Sequence, residues 1–371
     1  MSKRANNRIV LDLAHRRGNP RNSEGAFVTL KDGRILFVYT HYYGKSWSDE
    51  ATARLCSRVS ADGGRTWSPR DEVVVENEGG CNVMSVSLLR LHDGRIALFY
   101  LRKNSVADCR AQMRTSSDEG KTWIRPTLCI PAPGYFCVNN DRVIQLSGGR
   151  LVMPASWHRN KRPAPGPKDR MYEALDFRGI AVSFLSDDAG LTWREARDWW
   201  ALPVRSGSGL QETGAVELAD GRLYGHARTD VGCHYEMFSE DRGETWSAPR
   251  PSAFKAPCSP LCIKRIPGTG NLLAVWNDHS GRLVPVRPQD NSFQSTSWGR
   301  TPLVAAVSRD EGRTWSRGRL VESDPKRGFC YTAIHFADDA VLLAYCCGGG
   351  KKSVVLQDLC VRRVTLDWLY G

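Results

Sequence analysis

Ser60-Ala61-Asp62-Gly63-Gly64-Arg65-Thr66-Trp67 is the first of five copies of the octapeptide Ser-x-Asp-x-Gly-x-Thr-Trp. The others start at Ser116, Ser186, Ser239 and Ser308, and end at Trp123, Trp193, Trp246 and Trp315. Ser and Asp side chains can bond nearby backbone groups, Gly supplies a positive φ, and Trp carries a large apolar face. The octapeptide therefore reads as a folded turn with a packing anchor, and no catalysis is assigned to it.

A second repeat interleaves with the first. Val28 to Tyr39 alternates apolar residues around Asp32-Gly33-Arg34, and the same turn returns at Asp93-Gly94-Arg95, Gly148-Gly149-Arg150 and Asp220-Gly221-Arg222. Looser copies lie at Gly268-Thr269-Gly270 and Asp338-Asp339. Gly-bearing turns between alternating apolar runs mark hairpins. Six hairpins, five of them followed by the octapeptide, predict an all-β fold: a six-bladed β-propeller of four-stranded blades, one domain over residues 1–371. The sixth hairpin lacks the octapeptide and ends in Leu356 to Leu369. Its blade needs a strand from elsewhere, and Arg8 to Ala14 is expected to close the ring, which also removes an open edge.

Bulk properties narrow the function classes. No apolar run approaches the roughly 18 residues of a membrane span. The segment Ile9 to Ala14, interrupted by Asp12, is too short for a signal-peptide core. The expectation is thus a cytoplasmic protein, or a secreted one whose signal has been trimmed. Twelve cysteines show no zinc-type spacing and sit among apolar strand residues, so reduced, mostly buried thiols are expected, with no metal or cofactor. The formal charge of +12 suggests an anionic partner. The basic residues are dispersed and no nucleic-acid motif appears; a small acidic ligand fits the charge as well, and no nucleic-acid partner is expected. The densest basic stretch, His158 to Arg170, is Pro-rich and reads as a solvated loop.

Blade topology sorts the polar residues by face. The start of strand 1, the end of strand 2 and the start of strand 3 share one face. That face collects Arg21, Glu212 and Tyr331 before first strands, Arg228 at the end of a second strand, and Asp49 and Arg300 before third strands. All six are expected to converge near the propeller axis.

The octapeptides resemble the Asp boxes of the sialidase (neuraminidase) superfamily, over nearly the whole chain. Gln211-Glu212-Thr213-Gly214-Ala215-Val216-Glu217-Leu218, running to Arg228, is similar to the family segment carrying the catalytic Glu and one Arg of a triad. Arg300 resembles another triad Arg, Tyr331-Thr332 the nucleophile segment, and Asp49-Glu50-Ala51 the acid/base Asp. At Arg21 the family shows Arg-Ile-Pro, whereas this chain reads Arg21-Asn22-Ser23-Glu24; Arg16 and Arg17 are the substitutes. The resemblance implies a retaining exo-α-sialidase acting on terminal sialic acids of glycoconjugates. Arg21, Arg228 and Arg300 would clamp the substrate carboxylate, Tyr331 would be nucleophile with Glu212 its base, and Asp49 the acid/base. Tyr nucleophiles suit a substrate that is itself an anion. Other readings are a glycosidase for another acidic sugar and a propeller that binds acidic glycans without turnover. His226, Asp230, His234, Lys264, Asn277, Asp278 and His335 are secondary candidates for the sugar's other groups.

Overall fold

The computed structural model describes residues 7–162, 170–286, 295–351 and 353–371. It is a β-propeller, with two helices of four and five residues as its helical elements. Blade 1 orders Asn22–Thr29, Ile35–Tyr42, Ala53–Ser60 and Glu72–Val75. Blade 4 spans Gln211–Glu217 to Arg250–Lys255, and blade 5 Cys262–Arg265 to Arg319–Glu322. In blade 6, Cys330–Ala337, Ala340–Cys346 and Leu359–Thr365 are completed by the N-terminal strand Asn7–Leu13, antiparallel to the last of them. The strand borrowed from the N-terminus is the expected one.

Blades 2 and 3 depart from the expected separate four-stranded units. Tyr135–Cys137 lies parallel to Asp108–Ser116 and antiparallel to Leu151–His158, and so welds the two blades into one nine-stranded sheet. Blade 3 has only Ile144–Gln145 as its first strand. The residues before it run across the axis instead. Asn140 donates to the carbonyls of Gly25 and Tyr331, Asp141 accepts from Lys264 Nζ and the Ile334 amide, and Arg142 donates to the Leu261 carbonyl. Blades 1, 5 and 6 are thereby tied to one segment of blade 3, whose Asn139 lines the axial cavity.

Six apolar clusters lie between six pairs of neighbouring blades, and this is where the core sits. Each octapeptide Trp packs into the cluster between its own blade and the one before: Trp67 against blade 6, Trp123 against blade 1, and so on to Trp315. The turn itself is built as its composition requires. In the first copy Ser60 Oγ donates to Asp62 Oδ1 (2.9 Å) and accepts from the Gly64 amide (2.9 Å). Asp62 accepts from both the amide and hydroxyl of Thr66. Blade 6 lacks the octapeptide, and the cluster between blades 5 and 6 receives Trp368 and Tyr370 from the C-terminal helix Leu366–Tyr370.

First strands carry a bulge where they meet the axis. Register shifts fall between Ser23 and Ala26, Met84 and Ser87, Gln211 and Gly214, and Cys330 and Ala333. Within them Glu24, Ser85, Glu212 and Tyr331 adopt φ of 49°, 59°, 47° and 59°. A left-handed conformation in a non-glycine residue costs about 1 kcal/mol or more and is concentrated at functional sites. Each bulge re-aims one side chain toward the axis.

Candidate active site

Those re-aimed side chains line a cavity of about 950 Å³ at the axis. Glu212 and Tyr331 face each other across it: the Tyr331 hydroxyl donates to Glu212 Oε1 at 3.0 Å. The same oxygen accepts from Arg228 Nη1 at 2.7 Å, while Glu212 Oε2 is buried without a partner. Burial acts to raise the Glu212 pKa, but Arg228 beside it outweighs this and holds the carboxyl below its ordinary value. Tyr331 is pushed well above 10, first by burial and then by the Glu212 charge. The resting pair is therefore a carboxylate and a neutral phenol that donates to it.

Arg228 and Arg300 both line the cavity. Arg300 stands 5.2 Å over the Tyr331 ring and donates through Nη1 to Cys330 Sγ (3.0 Å). Arg228 donates through Nε to Cys258 Sγ (3.2 Å). Burial acts to raise the Cys330 thiol, yet its hydrogen bond with the Cys346 thiol and the Arg300 charge bring it down to about 7. All twelve cysteines are free, nine of them buried.

Arg21 differs from its expected place. It is 0% exposed and lies behind the cavity wall rather than in it. Its Nη1 donates to Asp49 Oδ1 (2.5 Å) and the Trp47 carbonyl (3.3 Å), and its Nη2 to Ser23 Oγ (3.2 Å) and Glu24 Oε1 (3.4 Å). The expectation that three guanidinium groups point into one pocket thus fails for one of them, because Asp49 and Glu24 stand in front. The substitutes differ again: Arg16 is largely exposed, with its nearest carboxylate, Asp71, at 3.9 Å.

Asp49 does line the cavity, its side chain 43% exposed. Its loop is pinned from blade 2: Asn82 Nδ2 (2.8 Å) and Lys103 Nζ (2.9 Å) donate to its carbonyl. Burial tends to raise its pKa, and the charges of Arg21 and then Lys103 overcome this and lower it.

Several lining groups escaped the sequence reading. Lys103 is 2% exposed, with its ammonium 5.5 Å over the Tyr135 ring. Asn139 presents a buried Nδ2 without a partner. An apolar wall comes from Met171 and Leu175, at the two ends of the short helix Met171–Ala174, and from Phe177. His158, expected in a solvated loop, is buried at the end of its strand and lines the cavity; residues 163–169 of that stretch lie outside the described residues. Of the secondary candidates Asp230 lines the cavity, accepting from Ser206, Gly207 and Ser208. The others have structural partners: Lys264 on Asp141, Asn277 on Ser259, Asp278 on Ser280, His335 on Thr29, and His234 on the Ala227 carbonyl. His226 is buried against Gly214.

Residues 81–343 match the family model described as a BNR repeat-like domain. The chain belongs to the BNR-repeat family of the sialidase superfamily. It is 28% identical over 341 residues to a sialidase of Micromonospora viridifaciens, covering 83% of this chain and 47% of that protein. It therefore spans about half the length of that curated relative. A Dyadobacter fermentans protein of unknown function superposes with a TM-score of 0.69 at 17% identity, covering 97% of this chain and 99% of that one. The Trypanosoma rangeli sialidase in complex with 2,3-difluorosialic acid, a covalent intermediate, superposes with a TM-score of 0.69 at 15% identity, covering 98% and 60%. These likenesses establish the propeller fold of this BNR-repeat protein. Among its described residues no helix is long and apolar enough to cross a membrane.

Proposed function

We propose that this BNR-repeat protein is a retaining exo-α-sialidase. The observation that carries the reading is the Tyr331–Glu212 pair at 3.0 Å, in a cavity that also presents Arg228, Arg300 and Asp49. A sialoside has a carboxylate on its anomeric carbon, which Arg228 and Arg300 would hold by charge-assisted hydrogen bonds. Tyr331 then attacks that carbon as its proton passes to Glu212, and the bond to the leaving oxygen breaks as Asp49 delivers a proton to it. In the second step water attacks the same carbon and gives its proton to Asp49, while the departing tyrosyl oxygen recovers its proton from Glu212. Asp49 is anionic at rest. The arriving carboxylate draws on the positive field that keeps it so, and thereby raises its pKa toward the proton-holding state.

Hydrolysis of an aryl α-sialoside, followed by NMR, tests this. Expected are turnover by the wild type, α-sialic acid as the first product, and a loss of at least a thousandfold in kcat for Tyr331→Phe. Equal rates for the two proteins would remove Tyr331 from the mechanism. No turnover of any acidic glycoside by the wild type would favour a binding propeller. The Asn22-Ser23-Glu24 departure favours, as a second reading, a related acidic sugar; a panel of nonulosonic and uronic acid glycosides separates the two.

A further inference from the structure

The departure after Arg21 places a carboxyl inside the cavity. Asn22 and Ser23 are spent locally: Asn22 Nδ2 donates to the Leu13 carbonyl and Asn19, and Ser23 Oγ accepts from Arg21 and touches Cys346 Sγ. Glu24 is the bulge residue of its blade, as Glu212 and Tyr331 are of theirs, and it lines the same cavity while only 4% exposed. Its Oε2 accepts from Ser85 Oγ at 2.6 Å. Among the described residues the one cation in contact is Arg21, at a long 3.4 Å, and that guanidinium is already paired at 2.5 Å with Asp49. Two further carboxylates, Asp49 and Glu212, stand close enough to oppose its ionisation.

We propose that Glu24 is a substrate-binding residue that donates a hydrogen bond, as a neutral carboxylic acid, to the carboxylate of the sugar, beside Arg228 and Arg300. This rests on the sialoside reading. An ionised Glu24 would put a third negative charge beside an incoming anion. A protonated one offers a donor where Arg21 is screened from the cavity. Burial first of all raises the Glu24 pKa, against the opposing pull of Arg21 and Ser85.

The sign of the pH dependence follows. Substrate binds the protonated form, so affinity is full below the Glu24 pKa and falls by up to tenfold per pH unit above it. The ligand's carboxylate raises Asp49 in wild type and Glu24→Gln alike, so Glu24 is read from the difference between the two profiles. In the free protein the groups facing Glu24 hold one state between pH 5 and 9. Asp49 and Glu212 are depressed and stay anionic, while Arg21, Arg228 and Arg300 stay charged. Tyr42, Tyr331 and Cys137 are raised and stay neutral, and Ser85 does not titrate. Cys330, at about 7 behind Arg300, is the group to control for.

Calorimetry with 2-deoxy-2,3-didehydro-N-acetylneuraminic acid from pH 5 to 9 tests the proposal on wild type, Glu24→Gln, Glu24→Ala and Cys330→Ser. Gln keeps a donor and cannot ionise. Expected is Glu24→Gln within about threefold of wild type at pH 5 and falling less steeply than wild type above it, with Glu24→Ala at least tenfold weaker. Cys330→Ser should keep the wild-type profile. A Glu24→Gln variant as weak as Glu24→Ala overturns the proposal, as does Glu24→Ala at wild-type affinity. Infrared spectroscopy gives a ligand-free reading: a carboxylic acid C=O band that persists above the pH at which a free glutamate ionises and vanishes in Glu24→Gln. Its absence from the wild type overturns the assignment to Glu24 itself. Failure of every form to bind at any pH, with that band present, overturns instead the sialoside reading and the ligand named with it.

Discussion

A single left-handed residue in each of four blades sets the chemistry of this cavity. Glu24, Ser85, Glu212 and Tyr331 each sit in a bulge, and the bulge turns a strand residue that would face a neighbouring blade toward the axis. The roles differ by neighbour. Glu212 has Arg228 at 2.7 Å and is held anionic; Glu24 shares Arg21 with Asp49, and burial pushes its carboxyl up. Asp49→Ala tests the acid/base role separately from the nucleophile. A good leaving group needs little protonation, so kcat on an aryl sialoside should fall less than tenfold, and kcat on a sialyl-lactose by a hundredfold or more. Equal losses on both would place Asp49 in substrate positioning instead. Arg228 and Arg300 were legible in the sequence because topology puts them on the same face as Glu212. The sealed position of Arg21 was not legible, since it depends on how Asp49 and Glu24 fold over it, and no spacing encodes that. Lys103 was hidden for a similar reason: in sequence it is one more charged residue at a strand end.

Elements repay the same comparison. Five octapeptides were readable because a turn that bonds its own backbone depends on residues two to six apart. The weld between blades 2 and 3 was not, since Tyr135–Cys137 has only three residues and pairs with strands on both sides. Nor was the role of the C-terminal helix Leu366–Tyr370, whose Trp368 packs into the cluster between blades 5 and 6 where an octapeptide Trp is missing. The Arg319 guanidinium lies 4.9 Å over its ring. Trp368→Ala should therefore behave like Trp246→Ala, lowering stability by about 2–4 kcal/mol with KM unchanged. Thermal unfolding followed by activity of the folded fraction checks it, and a Trp368→Ala melting temperature equal to wild type would make the helix a passive tail. The octapeptide carboxylates predict an acid limit. Hydrogen bonds from Thr and Ser hold Asp62, Asp118 and Asp310 down to about 2. A depressed carboxyl adds stability above its unfolded pKa near 4 and loses it as pH falls toward its folded value. The melting temperature should thus drop between pH 4 and 2, and Asp310→Asn should flatten that drop. Solvent around these turns keeps each contribution small.

At the scale of the molecule, the ring is held by six clusters of which the one between blades 6 and 1 is distinctive. It combines Phe27 and Phe37 of blade 1 with Leu342 and Val361 of blade 6 and Leu13 of the N-terminal strand. That strand is mostly half-exposed, yet it covers Leu359–Thr365, whose Cys360, Val361 and Val364 are buried. Arg362 Nη1 donates to Asn7 Oδ1 at 2.6 Å at one end, and His15, just past the strand, sits 2.7 Å from Asp358 at the other. Removing residues 1–15 would leave an apolar edge strand with unpaired backbone groups, a template for pairing with another copy. The buried Leu13 side chain and the lost ladder bonds amount to about 4–6 kcal/mol. The truncated protein should melt roughly 5–10 °C lower, scaled from smaller domains, and form dimers or larger species that light scattering detects. A synthetic peptide of residues 7–15 supplied in trans should restore both the melting temperature and the particle size of the intact protein, because the gap it fills is a single strand. A truncated form that keeps the particle size and the melting temperature of the intact protein would mean that blades 1 and 6 hold the ring through Phe27, Phe37 and Val361 alone, and that the N-terminal strand only decorates it.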